Sequence, residues 1–368
     1  MKKILFISHE GSRTGAPLVL LSLVKAMSAT FTPPIFKVNV LFLEEGPIID
    51  DFKPYANVFR YDDPTGLRRL LPYSKRLVYN RFRFRRWAKR QHFDLIYANT
   101  VVSLQEAVSL KNYLRIPVLL HVHEALRTCV CMGVTKELIS QCDTFISVSS
   151  LCTEALESFG VSRKDIIVVP PFSDNMQQTD VEPYPIEGVS DKTFVVGMSG
   201  FGGWRKGSDL FPLIVKRFIS LHPQADIKFV WLGRLPQGQT SYDVQQLGIG
   251  DWVCMPGLVA NPMRYYKRFD IFLLTSREDP FPLVCMENSA LGNPTVLFRN
   301  TSGIVDLIVD GESGLSVPYL DIDAMCDAIY RLYCDRRLCS QLGENARQRL
   351  NKDFRKEDSI KRLLQIIS

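Results

Sequence analysis

Long hydrophobic runs are missing from this 368-residue chain. No apolar stretch approaches the ~20 residues of a membrane-spanning helix. The apolar part of Met1-Lys-Lys-Ile-Leu-Phe-Ile-Ser8 is too short for a signal peptide and reads as a first strand. Paired cysteine clusters are missing too: the nine cysteines are odd in number and scattered, and Cys129-x-Cys131 has no second pair at zinc-site spacing. They read as reduced thiols of a cytoplasmic protein. No G-x-G-x-x-G follows the first strand, which argues against a dinucleotide dehydrogenase, and no G-x-x-x-x-G-K-[ST] occurs, which argues against a P-loop. There is no fixed-period repeat. Acidic residues are absent between Arg68 and Arg90, where ten Lys and Arg stand among Phe82, Phe84 and Trp87.

What remains is an ordinary globular composition, 46% hydrophobic and 23% charged, long enough for two or three domains with proper cores. Residues 1–172 carry 23 Lys+Arg against 15 Asp+Glu, and the remainder 22 against 24, so the excess basicity lies in the first half. The 68–90 segment suits anionic lipid headgroups or a pyrophosphate-bearing acceptor. Nucleic acid would suit its charge equally, although no nucleic-acid partner is expected. The plain alternative is a solvated helix over a sheet, and the apolar positions show no clean helical period.

Strands and helices alternate throughout, which predicts α/β layers on parallel sheets. Strands are expected at 3–8, 37–43, 95–98, 118–122, 144–148 and 166–169, with helices at 16–27 and 153–158. Residues 173–190 turn polar, with Pro183, Pro185 and Gly188, and read as a linker. The pattern then restarts at 194–198, 227–232, 252–255, 271–274, 295–298 and 315–317. The expected organisation is a doubly wound domain over 1–172, the linker, a second doubly wound domain over 191–352 and a final helix over 353–368. Ligands of such domains sit at strand C-terminal ends, here the cleft between a facing pair.

The most informative stretch is Ser276-Arg-Glu-Asp279-Pro-Phe281-Pro282-Leu283-Val284-Cys-Met-Glu287-Asn-Ser-Ala-Leu-Gly292-Asn-Pro294. Pro282 fits the first helical position, and Gly292 with Pro294 supplies a stop, which predicts a helix over 282–291 after a buried strand. A helix start behind a strand presents free N–H groups and the positive end of the helix dipole to a phosphate. Asp279 precedes that start, and Glu287 lies about 7 Å along the axis at 1.5 Å per residue. The ordinary alternative is a capped helix with an exposed Glu. A second loop, Gly197-Met198-Ser-Gly200-Phe-Gly-Gly-Trp-Arg205-Lys206-Gly207, brings glycines and two cations between a strand and a helix. In the first half, Gly11-Ser-Arg13-Thr-Gly15-Ala16 joins strand to helix, and His121-Val-His123-Glu124 ends a strand. Glu124 has two readings, orienting His123 or capping the next helix.

Asp279 and Glu287, eight positions apart, resemble the E-x7-E signature of retaining GT-B glycosyltransferases of family 4, the group 1 glycosyl transferases, with Asp in place of the first Glu. The resemblance runs through nearly the whole chain and is strongest from 194 to 320. It implies a GT-B fold, two Rossmann-like domains facing across a cleft, with the final helix crossing back onto the first. Asp279 would then hold donor-sugar hydroxyls, Glu287 the ribose, and the N–H groups of Leu283 and Val284 the diphosphate. Arg205 and Lys206 would stabilise the leaving diphosphate, without the further Arg the family often carries where Met198 stands here. Phe281, Gly200, Gly15 and Ala16 would line the donor. His123 would contact the donor sugar, with Arg13, Asn99 and His121 on the acceptor side, although His121 also reads as a buried core residue.

The resemblance thus implies a retaining transfer from a nucleoside-diphosphate sugar to a saccharide, free or lipid-linked, in lipopolysaccharide, capsule or other cell-surface glycan assembly. The mechanism implied is front-face, with the donor phosphate taking the acceptor proton. No cofactor and no metal are expected. Asp321-x-Asp323 has the spacing of metal-dependent transferases but reads as a loop or helix start. The expected location is cytoplasmic, peripheral on the inner membrane face. The rival readings are a sugar-nucleotide epimerase of the same architecture and a non-catalytic sugar-nucleotide-binding protein.

Overall fold

The structure, a computed structural model, describes residues 1–30, 35–63, 72–236 and 238–368. Its internal contacts divide the chain into two units, Met1–Pro171 with Lys356–Ser368, and Phe172–Arg355.

Unit 1 is built on seven parallel strands: β1 (Lys2–Ser8), β2 (Phe36–Phe42), β3 (Asn57–Arg60), β4 (Leu95–Ala98), β5 (Val118–Val122), β6 (Thr144–Ser147) and β7 (Ile166–Val168), in the order β3-β2-β1-β4-β5-β6-β7. Ile4, Leu5, Phe6 and Ile7 are all fully buried. Successive strand side chains point to opposite faces, so such an unbroken apolar run belongs to a sheet covered on both sides. Six strands fall within a residue or so of the expected spans. The seventh, β3, was not anticipated: it is a four-residue edge strand, partly exposed and carrying Asn57 and Arg60, with no apolar run to announce it. The terminal helix Lys356–Ile367 packs on helix Gly15–Thr30 within this unit.

The basic segment forms the helix Tyr73–Gln91. Its first part, Arg68 and Arg69 included, lies outside the described residues. One face is anchored: Phe84 and Ala88 are buried, and Phe84 and Trp87 meet Phe59 at ring distances of 5.5 and 4.1 Å. Arg81 and Arg85 both pair with the buried Glu106 of the neighbouring helix Leu104–Leu114. The other face exposes Val78, Tyr79 and Phe82. Apolar residues on both faces, interleaved with arginine, erase the helical period that one apolar face would have shown.

Unit 2 carries six parallel strands, β8 (Phe194–Ser199), β9 (Ile227–Leu232), β10 (Val253–Gly257), β11 (Ile271–Leu274), β12 (Thr295–Phe298) and β13 (Gly314–Val317), in the order β10-β9-β8-β11-β12-β13. Phe194, Phe211, Phe218, Phe229 and Phe298 form much of its core. Residues 173–190, read as a linker, are docked on this unit. Tyr184 stacks on Tyr265 at 4.4 Å, its N–H donates to the Arg264 carbonyl at 2.9 Å, and Ile186 is buried. Polar composition concealed two apolar anchors.

In each sheet the strand order reverses beside the first strand, between β1 and β4 and between β8 and β11. The C-terminal ends at such a reversal leave a crevice open to ligands. Among the described residues no helix is long and apolar enough to cross a membrane.

Candidate functional site

In unit 2 the loops leaving β8 and β11 are stitched together. The Arg277 N–H donates to the Arg205 carbonyl at 2.8 Å, and Thr275 Oγ1 donates to the Lys206 carbonyl at 2.9 Å. Gly207 makes this approach feasible. Its φ is +68°, and a Cβ there would stand 2.2 Å from the Thr275 carbonyl oxygen, so no other residue fits. Gly200 takes φ +149°, and an added Cβ there would meet Lys206 Cε only at ordinary contact, 3.4 Å.

Those loops converge on Asp279, whose side chain is 7% exposed. Its backbone is pinned by Asp279 N–H to the Thr301 carbonyl at 2.8 Å and by Gly303 N–H to its own carbonyl at 3.1 Å. Its carboxylate accepts from Lys206 Nζ at 2.5 Å and Ser276 Oγ at 3.2 Å, with Arg205 Nη1 at 3.7 Å. Arg205 Nη1 also donates to the Glu278 carbonyl at 3.0 Å. Two cations and a carboxylate therefore share one spot, and the cations are also placed to meet an anionic ligand. Met198, where the resemblance would often have another cation, is core.

The helix behind Asp279 runs Leu283–Ala290, and Pro282 stands just outside it, one position earlier than expected. Its ψ of 113° keeps it extended while its carbonyl accepts from the Cys285 N–H at 3.0 Å. Leu283 and Val284 open the helix, so their N–H groups have no acceptor within it, and both residues are partly exposed. At the other end Gly292 takes φ +80° and stops the helix. Phe281, expected to line the donor, instead buries its ring against Phe354 at 5.8 Å, because an apolar ring gains more from that core contact than from an open loop.

Glu287 is neither exposed nor idle. Its Oε1 accepts from Ser173 Oγ at 2.6 Å and from Asn175 Nδ2 at 2.9 Å. Burial pushes its pKa up, and those two hydrogen bonds oppose the shift. Ser173 and Asn175 escaped the sequence reading because they lie in the supposed linker, more than 110 residues from the carboxylate they hold.

In unit 1 the C-terminal ends of β1, β4 and β5 bring together His9, Asn99, Thr100, His123 and Glu124. Asn99 Nδ2 donates to the Ala16 carbonyl at 3.1 Å and so fixes the first turn of the helix that Gly15 begins. Asn99 Oδ1 and His123 Nε2 are enclosed, with no hydrogen-bond partner among the described residues. Burial, with His9 as a second influence, lowers the pKa of His123 to about 3, so its ring is neutral. His121 lies with its ring 4.1 Å from that of His123. His121 itself is 1% exposed and shares a 2.6 Å hydrogen bond with Tyr97 Oη, which makes it a core residue and not an acceptor contact. Arg13, also expected on the acceptor side, pairs with Asp51 at 2.6 Å. Glu124 takes neither expected role: its Oε2 accepts the Val101 and His123 backbone N–H groups at 3.2 and 3.0 Å, joining two loops. Burial raises its pKa to about 7. His9 went unread although it directly follows β1. It lies 3.0 Å from Thr100 Oγ1 through Nδ1 and 3.4 Å from Glu10 through Nε2.

Among the described residues no cluster of three His, Cys, Asp or Glu is placed to hold a metal. Asp321 caps the helix Ile322–Cys334 by accepting from the Ala324 N–H, and Asp323 pairs with Arg217 at 2.5 Å. Both aspartates thus have structural work.

Sequence profiles of two related families match the chain in tandem: Glycosyltransferase Family 4 over residues 36–175 and Glycosyl transferases group 1 over 185–349. Among characterised relatives, N-acetyl-alpha-D-glucosaminyl L-malate synthase of Bacillus anthracis is 23% identical over 338 residues, 79% of this chain and 84% of that protein. Lipopolysaccharide core biosynthesis mannosyltransferase LpcC of Rhizobium leguminosarum bv. viciae is 30% identical over 187 residues, 46% of this chain and 52% of its own. The crystal structure of Anabaena HepE in complex with UDP and glucose superposes with a TM-score of 0.78 at 19% identity, over 100% of this chain and 99% of that one. With two parallel-sheet Rossmann-like units and both profiles matched, the chain belongs to the GT-B glycosyltransferases of group 1, family 4.

Proposed function

We propose that this glycosyltransferase moves a sugar, with retention of anomeric configuration, from a uridine-diphosphate sugar to a saccharide acceptor in cell-surface glycan assembly. The observation that carries the reading is the Asp279–Lys206–Arg205 cluster in front of a helix start that offers the Leu283 and Val284 N–H groups. A diphosphate at that start draws Lys206 and Arg205 off the carboxylate. Asp279 is then free to accept hydrogen bonds from the donor sugar. Glu287, with Oε1 held by Ser173 and Asn175, offers its other oxygen to the ribose hydroxyls. His123, neutral and with Nε2 unpartnered, suits a sugar hydroxyl.

In the reaction, the bond from the anomeric carbon to the diphosphate oxygen breaks with its electron pair going to the diphosphate. The acceptor oxygen forms its bond on the same face, and its proton passes to the departing phosphate oxygen. Arg205, Lys206 and the helix N–H groups meet the charge that develops there, and the reading gives no metal a role. The UDP bound to HepE supports uridine as the base, and the lipopolysaccharide-core relative supports a surface glycan as the product.

The reading places the enzyme at the cytoplasmic membrane face. Val78, Tyr79 and Phe82 are exposed on a helix that brings Lys75, Arg83 and Arg86 with them and has no acid of its own. Apolar side chains among cations suit an anionic bilayer surface. Sedimentation with phosphatidylglycerol vesicles at low salt tests this. Binding lost in the Val78→Asp, Phe82→Asp double variant supports it, and no binding by the wild type refutes it.

For the transfer itself, the test is proton NMR of the product formed from UDP-α-glucose, UDP-α-galactose or UDP-α-N-acetylglucosamine with lipopolysaccharide-core oligosaccharides. An α-linked product supports the reading. A β-linked product from an α-donor refutes retention.

A further inference from the structure

Beside the loop that carries Arg205 and Lys206, unit 2 holds a cavity of about 650 Å³ to which nothing above gives a role. Trp204 and Tyr242 border it, 52% and 60% exposed, together with Ser208, Asp209, Gln239 and Asp243. Large rings left half in water are costly in apolar exposure, and a ring that borders a concavity is placed to be covered by a ligand.

Trp204 is held in place. The Arg277 guanidinium lies 5.0 Å from its ring centre, Arg277 Nη1 donates to the Trp204 carbonyl at 2.7 Å, and both Arg277 Nη atoms grip Asp209 at 2.8 and 2.7 Å. The ring is therefore pre-organised and loses little freedom on binding. Tyr242 rises from the facing helix Gln239–Gln246, with Gln239 and Asp243 beside it. Aromatic faces with a carboxylate and an amide alongside suit a pyranose, whose C–H face stacks while its hydroxyls hydrogen-bond. Asp209 is already paired with Arg277, which leaves the Asp243 carboxylate to disfavour a phosphate there.

We infer that the Trp204–Tyr242 cavity is a second saccharide site, which holds a neutral stretch of the acceptor glycan away from the reacting sugar. The inference rests on the transferase reading for the identity of its ligand. Trp204 directly precedes Arg205 and Lys206, so an occupied cavity adjoins the loop that meets the diphosphate.

The test is isothermal titration of the full chain with maltohexaose, cellohexaose and mannohexaose, beside a thermal shift with UDP. Saturable binding of at least one hexasaccharide is expected, lost in Trp204→Ala and weakened at least fivefold in Tyr242→Ala. Among the described residues no hydrogen bond, ion pair or ring contact joins Tyr242 to the donor-side residues above, so Tyr242→Ala should keep the wild-type UDP shift. Absence of hexasaccharide binding in protein that UDP still stabilises overturns the inference alone. Binding unchanged in both variants also overturns it, as does displacement of the hexasaccharide by uridine. Ring-dependent saccharide binding without a UDP shift upholds the cavity and rejects the donor reading.

Discussion

Lys206 meets Asp279 at 2.5 Å in a nearly buried setting, and that pairing sets what single substitutions do. Asp279→Asn keeps the volume and removes the charge. It should lower kcat/KM about 100-fold or more and cost about 1–3 kcal/mol in urea unfolding, because Lys206 loses its ionic partner. Ser173→Ala acts through Glu287: donor KM should rise severalfold with kcat little changed, the pattern of lost ground-state binding. Asp279 and Lys206 were legible because each lies in a local motif between a strand and a helix. Ser173 was not, because what it touches is distant in sequence and its own neighbourhood reads as linker. His121 misled for a related reason: a histidine at a strand end looks functional until Tyr97 is found bonded to it.

Titration separates two further residues. Burial holds Glu124 near 7, above its usual range, so the folded state binds its proton more tightly and stability falls as pH rises from about 4.5 to 7. His123 is pushed down to about 3, so the unfolded state binds more protons and stability rises as pH climbs from about 3 to 6.5. The two effects oppose each other between about 4.5 and 6.5. Glu124→Gln removes one of them while keeping an acceptor for the Val101 and His123 N–H groups. Its unfolding free energy should rise more steeply over that window than that of the wild type, as measured by urea titration at half-unit pH steps. An unchanged slope would contradict the assignment.

At the level of elements, the β8 and β11 loops hold their residues through one glycine. Gly207→Ala puts a Cβ 2.2 Å from the Thr275 carbonyl at a positive φ, so the loop must move and take Lys206 with it. A loss of about 1–3 kcal/mol together with a large loss of nucleotide affinity is expected from chemical denaturation and calorimetry. Wild-type affinity with lowered stability would show that the loop pair does not position the site. The helix Leu283–Ala290 was legible from Pro282 and Gly292, with an error of one position at each end. The helix Tyr73–Gln91 shows what composition conceals. In sequence its Lys and Arg form one basic stretch without an acid, yet Arg81 and Arg85 pair with Glu106, which leaves the exposed cations around Phe82 to define any surface property.

Across the whole molecule, strand–helix alternation announces both parallel sheets, because strands covered on both faces are continuously apolar and survive without an alignment. The 173–190 segment hid its membership of unit 2, since Tyr184 and Ile186 are too few to stand out among polar neighbours. Each unit repeats the same winding, reversing beside its first strand, and in unit 2 that reversal coincides with Asp279, Lys206 and the open helix start. The central claim, a nucleoside diphosphate at that start, is tested most directly by thermal unfolding with UDP, GDP, dTDP, CMP, ADP and NAD at matched concentration. A ligand that binds only the folded state at 100 times its Kd adds about 2.7 kcal/mol. A rise in Tm with UDP, absent for CMP and NAD and abolished in Gly207→Ala, is the predicted result; a flat panel in protein shown to be folded would contradict it.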